Sequence, residues 1–449
     1  MDAITFFIAV LLSIFTFVCT PIKAFIILCS AIVWYPDFLT IKLGVIDFTV
    51  PRILIIVLYA NLFLRTNKLE SFRFMYIDAF VILAFIGKFT ALLANVPASR
   101  VLENQGGYFF DTVLIYFLTR LIITSKDYFL RVLKSLLMIS VPLAILGIID
   151  SFTGFNIFHN LQQYSDWVFN PNRNIRNGFF RATGSFRVHI LFGLYFASLY
   201  ILAFAIWHDR EWSRGRLIGV IVCMLIGMLS SMSSAPIFAV ILGSAILVAY
   251  PLRHYATVLL AIVIAVCLFA EVLSNRHFYE IPIRFAFSGS TAYYRIGLIN
   301  EAFGGGMDGH WLFGYGMVGM GNGNDNSNFH WKHKDLVNIY IEKLATTGLC
   351  GLLPYIMLNI AYYLALYKAG KRALPLDRWL VWSVASTMIA WNIVMMTVSA
   401  FAKIDTFLYI YIAICANLPA IMTTQTVYVL NRIKPEQQSF PMVSPEVCK

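Results

Sequence analysis

Residues 188–207 read VHILFGLYFASLYILAFAIW, an almost uninterrupted apolar run of about the 20 residues that a helix needs to cross a membrane. Two more runs follow after short polar breaks, at 216–232 and 235–250. The other runs lie at about 3–19, 22–36, 50–65, 75–95, 107–124, 128–150, 255–274, 336–367, 378–400 and 404–424. Thr20-Pro21 separates the first two, which leaves open a hairpin, two tilted helices or one broken helix. The pattern therefore predicts an all-α membrane protein, a polytopic bundle of 12 or 13 transmembrane helices in one domain over residues 1–449.

The composition supports this class. Of the residues, 59% are hydrophobic and 13% are charged, which is more apolar surface than a soluble domain needs. The net charge of +11 comes from short Lys and Arg clusters between the runs, which is typical of topology signals and argues against nucleic-acid binding. The first run lacks a small-residue cleavage signature and is predicted to be a retained helix. Six of the seven cysteines lie in apolar runs, so no disulfide framework or thiolate metal site is expected.

The basic residues also predict how the helices are oriented. One alternate set of breaks, with the C-terminal tail, holds 18 Lys and Arg residues, whereas the short breaks of the opposite set hold four. Those four are Lys42, Arg52, Arg100 and Lys403. The positive-inside rule places the richer set, including the tail at 425–449, in the cytoplasm. The long segments 151–188 and 275–335 are then extracytoplasmic loops, on the same face as the turn at 230–235.

The first long loop contains a basic segment. Residues 169–187 read FNPNRNIRNGFFRATGSFR, with four arginines and no acid. Long outside loops escape the topology rule, so membrane insertion does not account for these charges. One interpretation is a solvated loop attracted to anionic headgroups. The other is an anion site, because arginine offers planar, bidentate donors to phosphate.

The longest polar interruption runs from Asn275 to Tyr340. It contains four histidines and three arginines, which are His277, His310, His330, His333, Arg276, Arg284 and Arg295. A loop of this length is usually functional or disordered, and its aromatic content argues against disorder. We therefore predict an active-site loop.

Three elements occur in order on the predicted outer face. They are RATGSF at 181–186, AYYRIGLINEAF at 292–303 followed by HWLFGYGMVG at 310–319, and VNIYIEKLATTGLCGLLPY at 337–355. Together they resemble the Arg-x-x-Gly-Thr-Phe, Arg-containing and His-Asn-x-Tyr-Leu elements of O-antigen ligases and O-antigen polymerases. The resemblance implies a GT-C-type glycosyltransferase of a bacterial cytoplasmic membrane. Such an enzyme transfers a glycan from undecaprenyl diphosphate to a sugar hydroxyl on the periplasmic face.

The resemblance implies roles for the arginines. The diphosphate leaving group gains negative charge as the glycosidic bond breaks, and fixed cations stabilise that charge. Arg181 and Arg295 are the expected diphosphate ligands, with snorkelling to lipid headgroups as the alternative for each. The family often has a Ser-Arg pair at the turn that reads SSMSSAPIF here, so Arg187 or Arg284 is expected to supply the missing contact.

The acceptor hydroxyl must pass its proton to a histidine or a carboxylate. Val337 occupies the position of the family's histidine, so we expect His333, about one helical turn earlier, to be the base. Asp335 and His330 are the alternatives, and an ordinary polar loop role is a further one. The histidine spacing gives one His-x-x-His pair and no HExxH element, so neither a metal nor another cofactor is predicted.

Aromatic residues of the second loop are candidate sugar contacts, because aromatic faces stack on sugars. Trp311, Tyr315 and Trp331 are expected to bind the glycan, with an interfacial aromatic belt as the alternative, and Asn338 is expected to assist them. The glycines between 304 and 323 neither follow a strand nor open a Gly-Lys-Thr element. They are predicted to be flexible backbone rather than a nucleotide-binding loop.

Charges inside the apolar runs favour a different class of function. Lys88 lies within a predicted span, and Asp111 and Glu342-Lys343 lie near helix ends. Since intramembrane charges often mark transport paths, a lipid-linked glycan flippase or an ion-coupled transporter is the main alternative, and an assembly scaffold is a third. Within the enzyme reading, a polymerase is favoured over a ligase because the His-Asn pair is altered. Its expected partners are the undecaprenyl-diphosphate-linked glycan, a glycan or lipid-linked acceptor, membrane lipids, a chain-length regulator and a flippase.

Overall fold

The computed structural model describes residues 2–44, 46–65, 72–164, 175–273, 277, 280, 289–318 and 329–438. This part of the chain is mainly helical. Its helices are α1 (Asp2–Val18), α2 (Pro21–Trp34), α3 (Val50–Arg65), α4 (Tyr76–Asn95), α5 (Ala98–Phe109), α6 (Ile115–Ile122), α7 (Lys126–Thr153), α8 (His189–Ala203), α9 (Arg214–Ser230), α10 (Ser234–Val248), α11 (Ala256–Leu273), α12 (Gly289–Glu301), α13 (Ile339–Arg372), α14 (Arg378–Met395) and α15 (Lys403–Gln438).

Short elements join these helices. Two antiparallel hairpins are formed by β1 (Ile41–Leu43) with β2 (Ile46–Phe48), and by β3 (Ile175–Arg176) with β4 (Phe179–Phe180). Single π-helical turns span Phe110–Leu114 and Ala302–Gly306. Short 3₁₀ segments span His159–Tyr164, Phe204–Ile206 and Tyr250–Tyr255.

Every predicted apolar run contains a helix, so the all-α prediction is confirmed. Within the described residues, five helical segments are long and apolar enough to cross a membrane, and they are Tyr76–Asn95, Lys126–Thr153, His189–Ile206, Ile339–Arg372 and Lys403–Thr424. Shorter apolar helices lie at Thr5–Val18, Pro21–Trp34, Ser234–Val248 and Ala261–Leu273. The predicted total of 12 or 13 spans, and the side on which each loop lies, stay predictions.

The centre of the bundle is formed by α8 and α15, whose apolar segments are 78% and 89% buried. Lipid tails are as apolar as leucine, so close packing and buried hydrogen bonds, rather than the hydrophobic effect, hold membrane helices together. Gly193 of α8 shows this packing, because a Cβ there would lie 2.4 Å from Ser231 Oγ. In the same core, Asn392 Nδ2 donates to Asn359 Oδ1 at 2.9 Å and joins α14 to α13.

A buried ion pair links α4, α6 and α15. Arg120 donates from Nε and Nη2 to the two carboxylate oxygens of Asp78, at 3.0 and 2.9 Å. Tyr116 donates to the same carboxylate at 2.6 Å, and Arg120 Nη1 donates to Asn417 Oδ1. Arg120 is one of the 18 basic residues that the topology prediction assigns to loops, but it is 7% exposed and joins helices instead.

Helix α13 is broken at Gly348, whose backbone (φ 59, ψ −157) interrupts the helical path. Residues 311–316 lie across the break and satisfy its backbone groups, because Tyr315 N–H donates to Ala345 O at 2.7 Å and Leu349 N–H donates to Trp311 O at 2.8 Å. Irregular backbone at membrane depth requires such partners. A Cβ on Gly314 would lie 2.7 Å from Gly348 N. This glycine serves close backbone contact, which corrects the prediction of flexible backbone at that position.

Part of the second long loop has its own small core. Helix α12, the π-helical turn Ala302–Gly306 and the first turns of α13 enclose buried apolar side chains. These side chains belong to Leu298, Ala302, Met307, Tyr315, Val318, Phe329, Trp331, Leu336, Ile341, Leu344 and Ala345. The described part of the loop is therefore a folded cap on the start of α13.

Candidate functional site

The RATGSF element is held by buried polar groups at the end of α7. Asp150 Oδ2 accepts hydrogen bonds from the backbone N–H of Thr183 at 3.1 Å and from Asn156 Nδ2 at 2.9 Å. Asn156 Nδ2 also donates to the carbonyl oxygen of Gly184 at 3.1 Å. These bonds fix the backbone that carries Arg181, so its side chain projects from a rigid support.

The hairpin β3–β4 brings a second arginine to Arg181. Asn177 and Gly178 form its two-residue turn with φ values of 53 and 82, which only such residues adopt readily. The register places Arg176 opposite Phe179. Because side chains alternate along extended backbone, Arg181 lies on the same face as Phe179 and Arg176.

Both arginines contact the turn between α9 and α10. Arg176 Nη1 donates to the carbonyl oxygen of Met232 at 3.3 Å, and Arg181 Nη2 donates to Ser233 Oγ at 3.3 Å. Within the described residues neither guanidinium forms an ion pair, and Arg181 Nε is buried without a hydrogen-bond partner. The turn therefore carries two adjacent cations whose charge the described side chains leave uncompensated.

Electrostatics at this turn favour an anion. Burial, and then repulsion from Arg176, lowers the pKa of Arg181 to about 10. The guanidinium is still protonated at neutral pH, so a desolvated cation persists next to another cation. A bound anion would offset both the desolvation of Arg181 and its repulsion from Arg176. Arg187 is exposed and interacts electrostatically with Asp37 instead.

His333 is held by a carboxylate of α12. Its Nδ1 lies 2.8 Å from Glu301 Oε2, and its backbone N–H donates to the same oxygen at 3.2 Å. The other carboxylate oxygen accepts the backbone N–H of Lys332. Burial tends to raise the pKa of Glu301, but the hydrogen bonds from His333 and the two backbone N–H groups outweigh it and lower this pKa.

Two more residues of α12 complete the seat of the imidazole. Tyr294 meets it edge to face, with ring centroids 4.7 Å apart, and the Tyr294 hydroxyl accepts the backbone N–H of Asp335 at 2.9 Å. A Cβ on Gly297 would lie 2.5 Å from the His333 ring, so the ring rests on this glycine. Asp335 itself is exposed beside the pair.

Arg295 follows Tyr294 in the same helix. It is partly buried, which lowers its pKa, and its Nε has no hydrogen-bond partner within the described residues. The helix α12 thus carries one arginine and three residues that contact His333. Arg284, the remaining predicted diphosphate ligand, lies outside the described residues.

The structure corrects two of the predicted sugar contacts. Tyr315 and Trp331 are 6% and 3% exposed, and both donate to the carbonyl oxygen of Gly306. Their rings belong to the core of the loop and present no face to a glycan. Trp311 is 37% exposed and keeps the predicted role as a candidate.

Asn338 is also better explained as a structural residue. It is the N-cap of α13, where its Oδ1 accepts the backbone N–H groups of Tyr340 at 3.0 Å and Ile341 at 3.3 Å. Asparagine is a preferred residue at this position because it satisfies donors that the first helical turn leaves free. Since Asn338 is 5% exposed, we remove it from the glycan contacts.

The predicted alternatives to His333 and its neighbouring histidines lie in separate places. His330 is exposed, and His310 stacks on Tyr315 with ring centroids 3.9 Å apart. His277 pairs with Glu271 at 2.7 Å. His333 is therefore the histidine of this loop with the most extensive set of described contacts.

The segment before α15 connects the two halves of the candidate site. Ser399 Oγ donates to the carbonyl oxygen of Leu336, three residues after His333. Lys403 Nζ donates to the carbonyl oxygen and to Oγ of Ser185 in the RATGSF element, at 2.8 and 3.0 Å. Residues 399–403 thus fix the loop that carries His333 relative to the element that carries Arg181.

A second polar region lies beside the break in α13. Lys88, Glu342 and Lys343 line a cavity of about 20 Å³, which is room for a water molecule. Lys88 Nζ lies 3.5 Å from the ring centroid of Tyr108, and Lys343 Nζ lies 4.5 Å from that of Tyr355. Glu342 Oε2 is buried with no hydrogen-bond partner in the described part of the chain. Three of the charges noted in the sequence, Lys88, Glu342 and Lys343, therefore meet at one place, whereas Asp111 forms an ion pair with Arg52 at 2.6 Å.

Two residues of the candidate site, Arg176 and Glu301, are not evident from the sequence. Arg176 was seen only as part of a basic segment, although the Asn177-Gly178 pair that follows it is a recognisable hairpin signal. Glu301 lies inside the AYYRIGLINEAF element, but 32 residues separate it from His333 and no local pattern links them. The sequence matches no known protein-family model, and no curated protein matches it significantly.

Proposed function

We propose that this chain is an integral membrane glycosyltransferase that polymerises undecaprenyl-diphosphate-linked glycan units for a surface polysaccharide. The observation that carries the proposal is the pair Arg176 and Arg181, which meet at the Met232–Ser233 turn and form no ion pair within the described part of the chain. Two such guanidinium groups match a diphosphate, whose oxygens accept bidentate hydrogen bonds. The resemblance of RATGSF to the O-antigen ligase and polymerase element supports the same assignment.

In the proposed reaction, the acceptor hydroxyl oxygen attacks the anomeric carbon of the donor glycan. The bond from that carbon to the diphosphate oxygen breaks on the opposite face, and the diphosphate keeps the bonding electrons. Arg176 and Arg181 stabilise this developing charge in a partly dry site, and Arg295 is the proposed third cation. A single displacement of this kind inverts the anomeric centre.

The proton of the acceptor hydroxyl goes to His333 in this proposal. Its imidazole is held from the Nδ1 side, which leaves Nε2 for proton transfer. The side chain is 29% exposed, so an acceptor sugar can reach it. Trp311, also partly exposed, is the proposed stacking surface for the glycan.

The proposed setting is a bacterial cytoplasmic membrane crossed by 12 or 13 helices in a GT-C-like bundle. The loops over 151–188 and 275–335 would then face the periplasm, with the tail at 425–449 in the cytoplasm. The proposed partners are a chain-length regulator, a flippase and a lipid-linked acceptor.

Replacement of the arginines in cells tests this proposal. Arg181→Ala and Arg295→Ala are expected to abolish the polysaccharide while the protein reaches its normal level in the membrane. Arg210→Ala, an exposed arginine between α8 and α9, is the matched control and is expected to leave the polysaccharide intact. Full activity of Arg295→Lys would contradict bidentate recognition by this residue.

A lipid-linked glycan flippase or ion-coupled transporter is the second candidate, favoured by the cavity that Lys88, Glu342 and Lys343 line. Charged groups beside a broken helix are a common form of transport site. Transport predicts flux in proteoliposomes that Lys88→Met abolishes and His333→Ala leaves unchanged. The enzyme proposal predicts the reverse sensitivity, with loss of product in His333→Ala.

A further inference from the structure

The carboxylate of Glu301 makes three contacts with the segment that carries His333. It receives Nδ1 of the imidazole at 2.8 Å, the backbone N–H of His333 at 3.2 Å and the backbone N–H of Lys332. If Glu301 served only to hold the backbone where α12 ends, its contact with the His333 imidazole would not be needed. The geometry therefore fixes both the backbone and the ring of His333.

We infer that Glu301 is a positioning residue for His333, holding the imidazole with its proton on Nδ1 so that Nε2 is free to accept the proton of the acceptor hydroxyl. This inference rests on the proposed function. Only the neutral ring with a free Nε2 lone pair can act as a base on that side, and a carboxylate at Nδ1 selects this tautomer. The same carboxylate stabilises the imidazolium that forms once the proton has arrived.

The rest of the seat restricts the ring to one orientation. Tyr294 closes it edge to face, and Gly297 supports it where a Cβ would collide at 2.5 Å. Tyr294, Gly297 and Glu301 are three and four residues apart, so they lie on one face of α12. Arg295 sits on the same short helix, which places a proposed diphosphate ligand and the proposed base on one rigid element.

A matched control is available where α11 ends and the same loop begins. Glu271 pairs with His277 Nδ1 at 2.7 Å, and this pair is exposed, with 40% and 56% of the two side chains accessible. Glu271→Gln therefore removes the same kind of contact without touching His333. Glu301→Gln keeps the size of the side chain, and Glu301→Asp keeps the charge on a shorter one.

The experiment measures chain elongation by purified full-length protein in lipid nanodiscs with an undecaprenyl-diphosphate-linked repeat unit. Glu301→Gln is expected to lower kcat by about 100-fold with little change in KM, which is the usual size of a general-base contribution. Glu301→Asp is expected to recover part of this loss, and Glu271→Gln to match the wild type. Glu301→Gln with wild-type kcat would overturn the inference, as would a loss confined to KM.

A spectroscopic measurement separates this inference from the proposed function. ¹⁵N NMR of labelled histidine, assigned with His333→Gln, is expected to show the Nδ1–H tautomer of His333 in the wild type and a shift toward Nε2–H in Glu301→Ala. An Nε2–H tautomer in the wild type overturns the positioning role. If the wild type elongates no chain, the proposed function and the catalytic role of Glu301 fall together. If the wild type elongates the glycan and Glu301→Gln elongates it at the same rate, only the positioning role of Glu301 is rejected.

Discussion

Arg176 Nη1 lies 3.3 Å from the carbonyl oxygen of Met232, in the same turn that Arg181 reaches through Ser233. The sequence of this turn contains no arginine, and the resemblance therefore predicts a cation from elsewhere in the chain, Arg187 or Arg284. The hairpin β3–β4 instead brings Arg176 to this turn, whereas Arg187 is exposed and Arg284 lies outside the described residues.

Inorganic pyrophosphate is expected to stabilise the wild-type protein. The Arg181 guanidinium is partly desolvated and is repelled by Arg176, so a bound diphosphate lowers the free energy of the folded state. Thermal unfolding with millimolar pyrophosphate should show a raised melting temperature, because the bound anion stabilises only the folded state.

The double variant Arg176→Met, Arg181→Met provides the comparison. It should unfold at the wild-type temperature or above without ligand, because two cations that form no ion pair among the described residues are removed, and show no shift with pyrophosphate. Arg210→Met should keep the shift. An equal shift in the double variant would place the anion elsewhere.

Gly348→Ala is expected to destabilise the protein strongly. Gly348 has a φ of 59, and a Cβ there would lie 2.5 Å from the carbonyl carbon of Leu312. Backbone strain of this kind costs roughly 1–3 kcal/mol, and the overlap adds to it. The cost should appear as a lower melting temperature.

Gly219→Ala is the control for that substitution. Gly219 lies in α9 with open space around its Cα, so alanine should be neutral or stabilising by helix propensity. A melting temperature for Gly348→Ala equal to that of Gly219→Ala would show that the break in α13 is unnecessary.

The stability of the second loop should depend on pH through Glu301. Its pKa is lowered in the folded protein from an ordinary value of 4.5, so the unfolded chain binds the proton more readily. The stabilisation is therefore fully present above pH 4.5 and is lost as the pH falls through the lowered pKa. Limited proteolysis of the loop at decreasing pH should reveal this loss, and Glu301→Gln should remove the part of it that Glu301 causes. An unchanged acid profile in Glu301→Gln would contradict the linkage.

The ion pair between Asp78 and Arg120 should behave as a coupled unit. Arg120→Met leaves the buried carboxylate without its cation, which costs roughly 3–5 kcal/mol. Removal of both charges in Asp78→Leu, Arg120→Met should recover much of that loss. Chemical denaturation of the wild type, Asp78→Leu, Arg120→Met and the double variant gives the coupling energy between the two residues. If the losses in the two single variants simply add in the double variant, the pair is not coupled.

The helices could be predicted from the sequence because long apolar runs identify them with little help from tertiary structure. The run at 188–207 became α8 within one residue at its start. Helix α12 was not predicted, since its 13 residues mix polar and apolar types, include two glycines and depend on packing against the rest of the loop. The break in α13 also escaped prediction, because a single glycine in an apolar run does not by itself indicate a φ above zero.

The site was less predictable than the fold, for a physical reason. Burial of an aromatic ring is decided by contacts across the loop, so the residue type of Trp331 does not distinguish a sugar-binding surface from a core position. The pair Glu301–His333 depends on two segments that meet only after folding. His333 and Arg181 could be selected from the sequence because their residue types suit the chemistry. Glu301 and Arg176 could be identified only from their contacts in the folded structure.

Chain elongation in nanodiscs is the most direct measurement of the central claim. Purified wild-type protein, given an undecaprenyl-diphosphate-linked repeat unit and no metal or nucleotide sugar, is expected to produce a ladder of longer lipid-linked glycans on a gel. Arg181→Ala and His333→Ala should produce none, and Arg210→Ala should produce the full ladder. Absence of elongation by the wild type, together with absence of transfer to any lipid acceptor, would contradict the glycosyltransferase proposal.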